Sequence, residues 1–438
     1  MKCIYCNAEN NLTSSDIITY AITGAKLTKS FVCKEHNAFT NDNYEKKFVA
    51  DLDFFRNRLG FSTRDGNPIK YTADISIDGN KIHDVKISNR KSLYAPKDVV
   101  VGFDDDGKKV LLAPMKRLEK MSKGKAENID ISDVTLHKTI TSDSFLGFFA
   151  VHSIAKMAYE WYCYVNKVEE FKPEHKEIVD YILENTDNDI VDIIINKNYY
   201  FAIDQISDVG THTLFQYDDV DGYRYVIFDF WKVISYRVRM CKSPIDTESN
   251  SMALLFTPYL YHIDGSKAQT VFSMVSFDSN IKSVFSTIQP SDMTTELWKF
   301  FINRIDTLLS TMILSIYTIR SGVDALSSRL EQYDEGKIDI VLLLDFEENN
   351  VLTIIEVISL LYKNKDKYDK SKSFNHNLYK MFKLKKDTLS RTSEEKRDFL
   401  KFLTELDKKQ ELSYYIWQGI STFNEVYECE MDRIKQCK

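Results

Sequence analysis

Apolar positions change period along this chain. Between 44 and 60, Phe48, Leu52, Phe55 and Leu59 recur at helical spacing, while Lys46, Lys47, Arg56 and Arg58 fall on other faces. The spacing predicts a helix able to turn a basic side towards a phosphate backbone. From Tyr71 to about Leu112 the pattern alternates, as in Ile75-Ser76-Ile77, Ile82-His83-Asp84-Val85-Lys86-Ile87 and Val99-Val100-Val101. Turn residues at Asp78-Gly79 and Asp105-Asp106-Gly107 punctuate it, which predicts antiparallel strands in a small sheet. Met115 to Lys125, carrying Lys116, Arg117, Lys120, Lys123 and Lys125, reads as a basic helix or linker.

Helical spacing returns from Ser144 through Ala155–Tyr159, and a second helix enters at Pro173 and ends near Asn185. His152 and His175 fall on these helices as packing or surface residues. Between Ile190 and Ser276 the pattern is again that of strands, with Asp219-Val220-Asp221-Gly222 as a hairpin turn. From Thr294 the chain reads as helix after helix: Leu297, Phe300, Phe301, Ile305, Leu308, Leu309, Met312 and Ile316 share a face, and 347–363, 393–408 and 411–436 behave alike. Proline is absent after Pro290, as long helices require. The expected fold class is α+β, divided into an N-terminal module (1–65), a small β-rich segment and linker (66–135), an α+β domain (136–290) and a helical domain (291–438).

At 438 residues, 43% hydrophobic and 28% charged, the composition is that of an ordinary globular protein. A net charge of −7 excludes a global basic field, so contact with nucleic acid would be local. One such place is 361–386, where nine Lys face two Asp and Tyr362, Tyr368, Phe374, Tyr379 and Phe382 are interleaved. It fits a grip on a single strand, or a solvated connector between helices. The stretch around Leu308 to Ile319 is short and broken by Ser and Thr, so no membrane span is expected. No Walker loop, dinucleotide-binding fingerprint or HExxH occurs, and 14 Gly leave little room for phosphate-cradling loops.

The most specific chemistry lies in the first forty residues: Cys3-x-x-Cys6, then Cys33-x-x-His36 followed by Asn37. Thiolates and a neutral imidazole are donors that Zn²⁺ prefers, and a two-residue gap lets both members of a pair reach one ion. Four protein ligands close the shell, so Cys3, Cys6, Cys33 and His36 are expected to hold a structural zinc. A module this short would draw much of its folding free energy from the metal. The remaining Cys163, Cys241, Cys429 and Cys437 are scattered, form no disulfide framework, and fit a reducing cytoplasm.

Cys3-Ile4-Tyr5-Cys6, Ser15-Asp16-Ile17-Ile18, Gly24 and Val32-Cys33-Lys34-Glu35-His36-Asn37 together resemble the N-terminal module of bacterial HNH endonucleases, most closely the branch with two zinc knuckles around a ββα-metal finger. The resemblance implies a treble-clef/ββα frame in which the knuckles brace a hairpin and a helix. In that family the segment before Ile-Ile carries an acidic metal ligand and then the histidine that deprotonates water; here those positions are Ser15 and Asp16. The second knuckle ends in His36-Asn37 instead of Cys-Asn, and Asn37 matches the asparagine that holds the catalytic loop. Further on, Ile154-Ala155-Lys156-Met157-Ala158-Tyr159 resembles a Lys-Ile-Ala-Tyr-like helix core of such proteins. His212–Phe215, Tyr225–Phe228 and Tyr236-Arg237-Val238 fall where a strand pair follows, so the resemblance extends to about residue 245. It implies DNA as the partner and restriction or phage defence as the setting.

Hydrolysis of a phosphodiester needs a divalent ion and a base. A carboxylate binds the ion well but is a poor base near neutral pH. Asp16 is thus the candidate catalytic residue with Asn37, as a ligand of Mg²⁺ or Mn²⁺ shifted by one place and joined by Asn41 or Asp42. His83 is the candidate replacement base. Lys46, Lys47, Arg56 and Arg58 are the candidate nucleic-acid contacts. Three function classes follow: a degenerate finger that binds nucleic acid without cutting, an active endonuclease with an atypical base, and an interaction scaffold. In the last, the C-terminal helices would recruit a protein or a second copy.

Overall fold

A computed structural model describes residues 1–23, 27–58, 61, 63, 69–77, 80–87, 100–103, 109–112, 135–184, 189–206, 210, 212–219, 221–242, 252–258, 270–276, 286–313, 316–344, 351–384 and 393–436. The chain is mixed α+β and divides into two compact units, residues 1–203 with 211–301, and residues 204–210 with 302–438.

The first unit begins with a turn at Ile4–Cys6 and an antiparallel hairpin, β1 (Leu12–Asp16) and β2 (Thr28–Cys33), joined across a short helix α1 (Tyr20–Thr23). The register slips between Thr13 and Ser15. Such an irregularity re-aims a side chain, and Ser15 is turned inward to 1% exposure. Helix α2 (Lys34–Thr40) follows β2 without a loop and runs through a π turn (Asn41–Glu45) into α3 (Lys46–Asp51) and α4 (Asp53–Arg58). The helical run therefore starts ten residues before the apolar spacing predicts, because the face of 34–45 that carries no apolar stripe lines a cavity.

A five-stranded sheet follows, from β3 (Tyr71–Ile77), β4 (Asn80–Ile87), β5 (Val100–Phe103), β6 (Lys109–Leu112) and β7 (Thr135–His137), in the order β6-β5-β4-β3-β7. β4 and β5 run parallel, contrary to the antiparallel expectation; residues 88–99 between them are enough chain for a crossover. The turns expected at 78–79 and 105–107, and the basic stretch at 115–125, lie outside the described residues.

After α5 (Asp143–Leu146) comes α6 (Phe148–Val165), which is buried from Ala150 to Cys163. A helix buried on all sides belongs at the centre of a core, although this one also carries the buried polar groups His152, Lys156 and Glu160. A 3₁₀ turn at Pro173–His175 leads into α7 (Lys176–Glu184). Next come β8 (Val191–Ile194), α8 (Lys197–Ile206), β9 (Thr213–Asp218), β10 (Tyr223–Phe230) and β11 (Ile234–Lys242). The hairpin β12 (Met252–Pro258) and β13 (Thr270–Ser276) and the short β14 (Thr287–Ile288) complete the strands. The second five-stranded sheet has the order β14-β8-β11-β10-β9 and is antiparallel throughout. The turn at 219–222 is where the sequence places it, with the Asp219 amide donating to the Tyr223 carbonyl. Helix α8 interrupts what the alternation presented as continuous strands.

Every described element beyond Thr295 is helical: α9 (Thr295–Ile313), α10 (Ile316–Asp334), α11 (Ile340–Leu344), α12 (Val351–Lys363), α13 (Phe374–Leu384), α14 (Ser393–Lys408) and α15 (Leu412–Gln436). Ile319, Val323, Leu326 and Leu330 of α10 pack with Ile354, Ile355, Ile358 and Leu361 of α12 and with Leu412, Ile416, Ile420 and Phe423 of α15. A Cβ on Gly322 would lie 2.6 Å from Ile354, and one on Gly419 would lie 2.9 Å from Ile358, so glycine lets both helices close on α12. Phe374 and Tyr379 are buried on α13, at 0% and 1% exposure. They serve a core, which corrects their reading as stacking groups or connector residues. No described helix is long and apolar enough to cross a membrane.

Two buried histidines tie stability to pH. Burial pushes His175 down to about 4, and burial likewise pushes His212 down to about 4 against a contact to the Ile22 carbonyl. A histidine whose folded pKa lies below its ordinary 6.5 binds protons better when unfolded, so stability falls as pH drops from about 6.5 towards 4. Each ring accounts for about 3 kcal/mol at most. Neither ring nitrogen of His175 has a hydrogen-bond partner among the described residues. His175→Phe is therefore expected to be harmless at pH 7.5 and to shallow the loss of stability on acidification, measured by urea unfolding from pH 7.5 to 4. Parallel loss in variant and wild type would contradict this.

Candidate metal centre and adjoining cavity

The hairpin brings the two ligand pairs together. The Ile4 amide donates to the Phe31 carbonyl (3.0 Å), seating the first turn on β2. Cys33 caps the N-terminus of α2, so His36 follows one turn on. One donor atom from each of Cys3, Cys6, Cys33 and His36 then lies within 4.8 Å of the others. His36 Nδ1 is 3.6 Å from Cys3 Sγ and 3.3 Å from Cys33 Sγ, and Cys6 Sγ is 4.0 Å from Cys33 Sγ. Cys3, Cys6 and Cys33 are all free of disulfide bonds. The amides of Tyr5 (3.4 Å) and Cys33 (3.3 Å) donate to Cys3 Sγ, as suits a thiolate.

The donor set and its spacing fit a tetrahedral zinc. Burial pushes the Cys3 thiol up to about 12, against the pull of the Cys33, Tyr5 and Cys6 amides. A thiol so placed surrenders its proton when a cation arrives, so metal uptake releases protons. Burial also lowers the pKa of His36, which keeps the imidazole neutral and its lone pair available.

Behind the hairpin lies a buried ionic cluster. Lys156 Nζ donates to the Asp16 carbonyl (2.9 Å) and Ser15 Oγ (3.4 Å), and pairs with Glu45 (3.3 Å) and Glu160 (3.4 Å). Glu160 also accepts from Ser15 Oγ (2.9 Å) and Tyr5 OH (3.2 Å), while Thr19 Oγ1 donates to Glu45 (2.6 Å). Tyr159 OH reaches the Ile4 carbonyl at 2.8 Å. Burial pushes the Glu160 carboxyl up to about 7, opposed by Lys156. At Lys156 burial opposes the charge, but the carboxylates of Glu160 and Glu45 outweigh it and hold the ammonium above its ordinary value.

A cavity of about 670 Å³ opens between the hairpin and the helical run. Asp16, Asn37, Asn41, Glu45, Lys46 and Lys156 all line it. The candidate catalytic residues Asp16 and Asn37 thus share one cavity, and Asn37 Nδ2 donates to Thr13 Oγ1 (3.2 Å), tying α2 to β1. Lys46 lines the cavity, whereas Lys47 stands 4.5 Å from the Phe149 ring. Arg56 lines the cavity as well, from a buried position. It is 6% exposed, pairs with Asp53 at 2.5 Å and donates to the Ala21 carbonyl at 2.8 Å, so it braces α1. The Arg58 side chain and Gly24 lie outside the described residues. His83 is exposed on β4, 3.0 Å from Asp74, and does not line the cavity, so it is no base for Asp16. His152 stacks on Tyr44 and Tyr181 and packs α6.

Sequence reasoning passed over Ser15, Glu45 and Glu160 as site residues. The available signal was Lys156 and Glu160 standing four apart inside an apolar helix, where unpaired charge is costly. No protein-family model matches this chain, and no curated protein or solved structure matches it either.

Purified protein is expected to carry one zinc per chain by elemental analysis. Cys33→Ser should lose the metal and melt earlier; an unchanged metal content and melting point would refute the ligand set. Lys156→Met leaves two carboxylates buried around an apolar chain and should cost about 3–5 kcal/mol in chemical denaturation. Adding Glu45→Gln and Glu160→Gln should restore much of that loss, and failure to do so would show that the cluster is not held by its charges.

Proposed function

We propose that residues 1–58 form a treble-clef finger of the HNH type that keeps a zinc-braced frame and binds nucleic acid, DNA foremost, without cutting it. The observation that carries this reading is the order of parts around one donor cluster. A knuckle, a hairpin and a helix bring three sulfurs and one ring nitrogen together, and Asp16 and Asn37 face a common cavity beside them. Asp16 stands where such a finger carries its base histidine. Ser15 stands at the acidic-ligand position and is spent on Glu160. No histidine lines the cavity among the described residues, so water activation lacks the group best matched to neutral pH. Exposed Lys34 and Lys46 supply the local positive charge that a net charge of −7 denies the whole chain. Restriction or phage defence is the setting that the resemblance implies.

One observation favours the alternative of an active, metal-dependent endonuclease: the Asp16 and Glu45 carboxylates border the same cavity. Two assays separate the readings. Fluorescence anisotropy with duplex and single-stranded DNA should show affinity that falls with salt; binding without any salt dependence would overturn the proposal. Supercoiled plasmid with Mg²⁺ or Mn²⁺ should stay intact with wild type and be nicked by Asp16→His. Cutting by wild type that Asp16→Ala abolishes would establish the alternative instead.

A further inference from the structure

The helical run beside the hairpin presents the wrong kind of face for a core. Lys34, Asn37, Asn41 and Glu45 follow one another at spacings of three and four, so they share one side of the helix, and all four line the cavity. A helix laid against a hairpin would ordinarily spend that side on apolar packing. The π turn at Asn41–Glu45 adds to the effect, since Glu45 and its neighbour Lys46 both reach the cavity wall. Adjacent residues of a plain α-helix point about 100° apart, and π turns cluster at functional sites.

We infer that this cavity receives one nucleoside monophosphate unit, at the end of a strand or extruded from it. The inference rests on the nucleic-acid reading above and names what part of the polymer the finger holds. Size comes first: about 670 Å³ lies in the range of small-ligand sites and is far too small for a duplex. Charge comes next. Lys34 and Lys46 are exposed and suit a phosphate, while the buried Glu45, Lys156 and Arg56 are held in ion pairs, Lys156 with Glu45 and Glu160 and Arg56 with Asp53. The buried cations of the lining are already paired, which suits a heterocycle there better than a second phosphate. Asn37 and Asn41 line the cavity; one amide hydrogen of Asn37 goes to Thr13 Oγ1 and one of Asn41 to Asp42 Oδ1, which leaves each amide its oxygen and a second hydrogen for a base edge. A bare phosphate would use the lysines and leave the amides unmatched.

The test is titration calorimetry of the full chain with a nucleoside 5′-monophosphate, the parent nucleoside, inorganic phosphate and a short single-stranded oligonucleotide, followed by competition between the first and the last. The monophosphate is expected to bind and to displace the oligonucleotide, with nucleoside and phosphate each at least ~10-fold weaker. Lys34→Ala with Lys46→Ala, and separately Asn41→Ala, should each weaken the monophosphate; all three positions are exposed, and circular dichroism checks the fold. An oligonucleotide that binds but is not displaced overturns the cavity assignment and leaves the finger reading standing. Binding of the monophosphate alone, with no affinity for the oligonucleotide, sinks the polymer reading and keeps the cavity as a free-nucleotide site. Binding of neither overturns both.

Discussion

Lys156 is the group around which the first unit is arranged. An ammonium at 1% exposure has surrendered its water, and only well-placed acceptors make that tolerable. Separate stretches of chain provide them: the end of β1 through Ser15 and the Asp16 carbonyl, the π turn through Glu45, and α6 itself through Glu160. The irregular stretch of β1 and the π turn at Asn41–Glu45 each bring an acceptor to that one charge, and α6 holds the hairpin through it. Two carboxylates around one lysine leave a surplus negative charge, and burial that pushes Glu160 up to about 7 lets it be relieved by a proton.

The candidate zinc site and the ionic cluster are two halves of one device. Tyr5 lies between Cys3 and Cys6 in sequence and gives its hydroxyl to Glu160, while Tyr159, one residue before Glu160, takes the Ile4 carbonyl. The knuckle is thereby held from the core side by α6, and a metal shared with Cys33 and His36 would hold it from the other. Between these supports the hairpin and α2 have little room to move, and the cavity they enclose keeps its shape without an apolar filling. One brace, α6, is in place through Tyr5 and Tyr159, and the Cys/His cluster would supply the other on holding a metal.

How much of this could be read in the chain depends on whether a residue's role is local. The Cys and His spacing is legible because metal geometry restricts which residue types can sit two apart. The helices at 143–185 and the turn at Asp219–Gly222 are legible because their periods are regular. Helix α2 is not, since Cys33 replaces the usual hydroxyl or carboxylate cap and the cavity removes the apolar stripe on which periodicity depends. Arg56 looks like a surface cation and is an internal brace, and His83 looks like a spare base and sits on a sheet with Asp74; tertiary position alone separates those roles. In α13 the lysines conceal the spacing of Phe374, Leu378 and Met381, which is that of a buried helical face.

Without a metal the knuckle would keep only its support from α6. Zinc-edge X-ray absorption of the purified chain addresses this directly. A shell of three sulfurs at about 2.3 Å and one nitrogen at about 2.0 Å is the result the account predicts. A shell dominated by oxygen, or a chain that takes up no zinc, would contradict it.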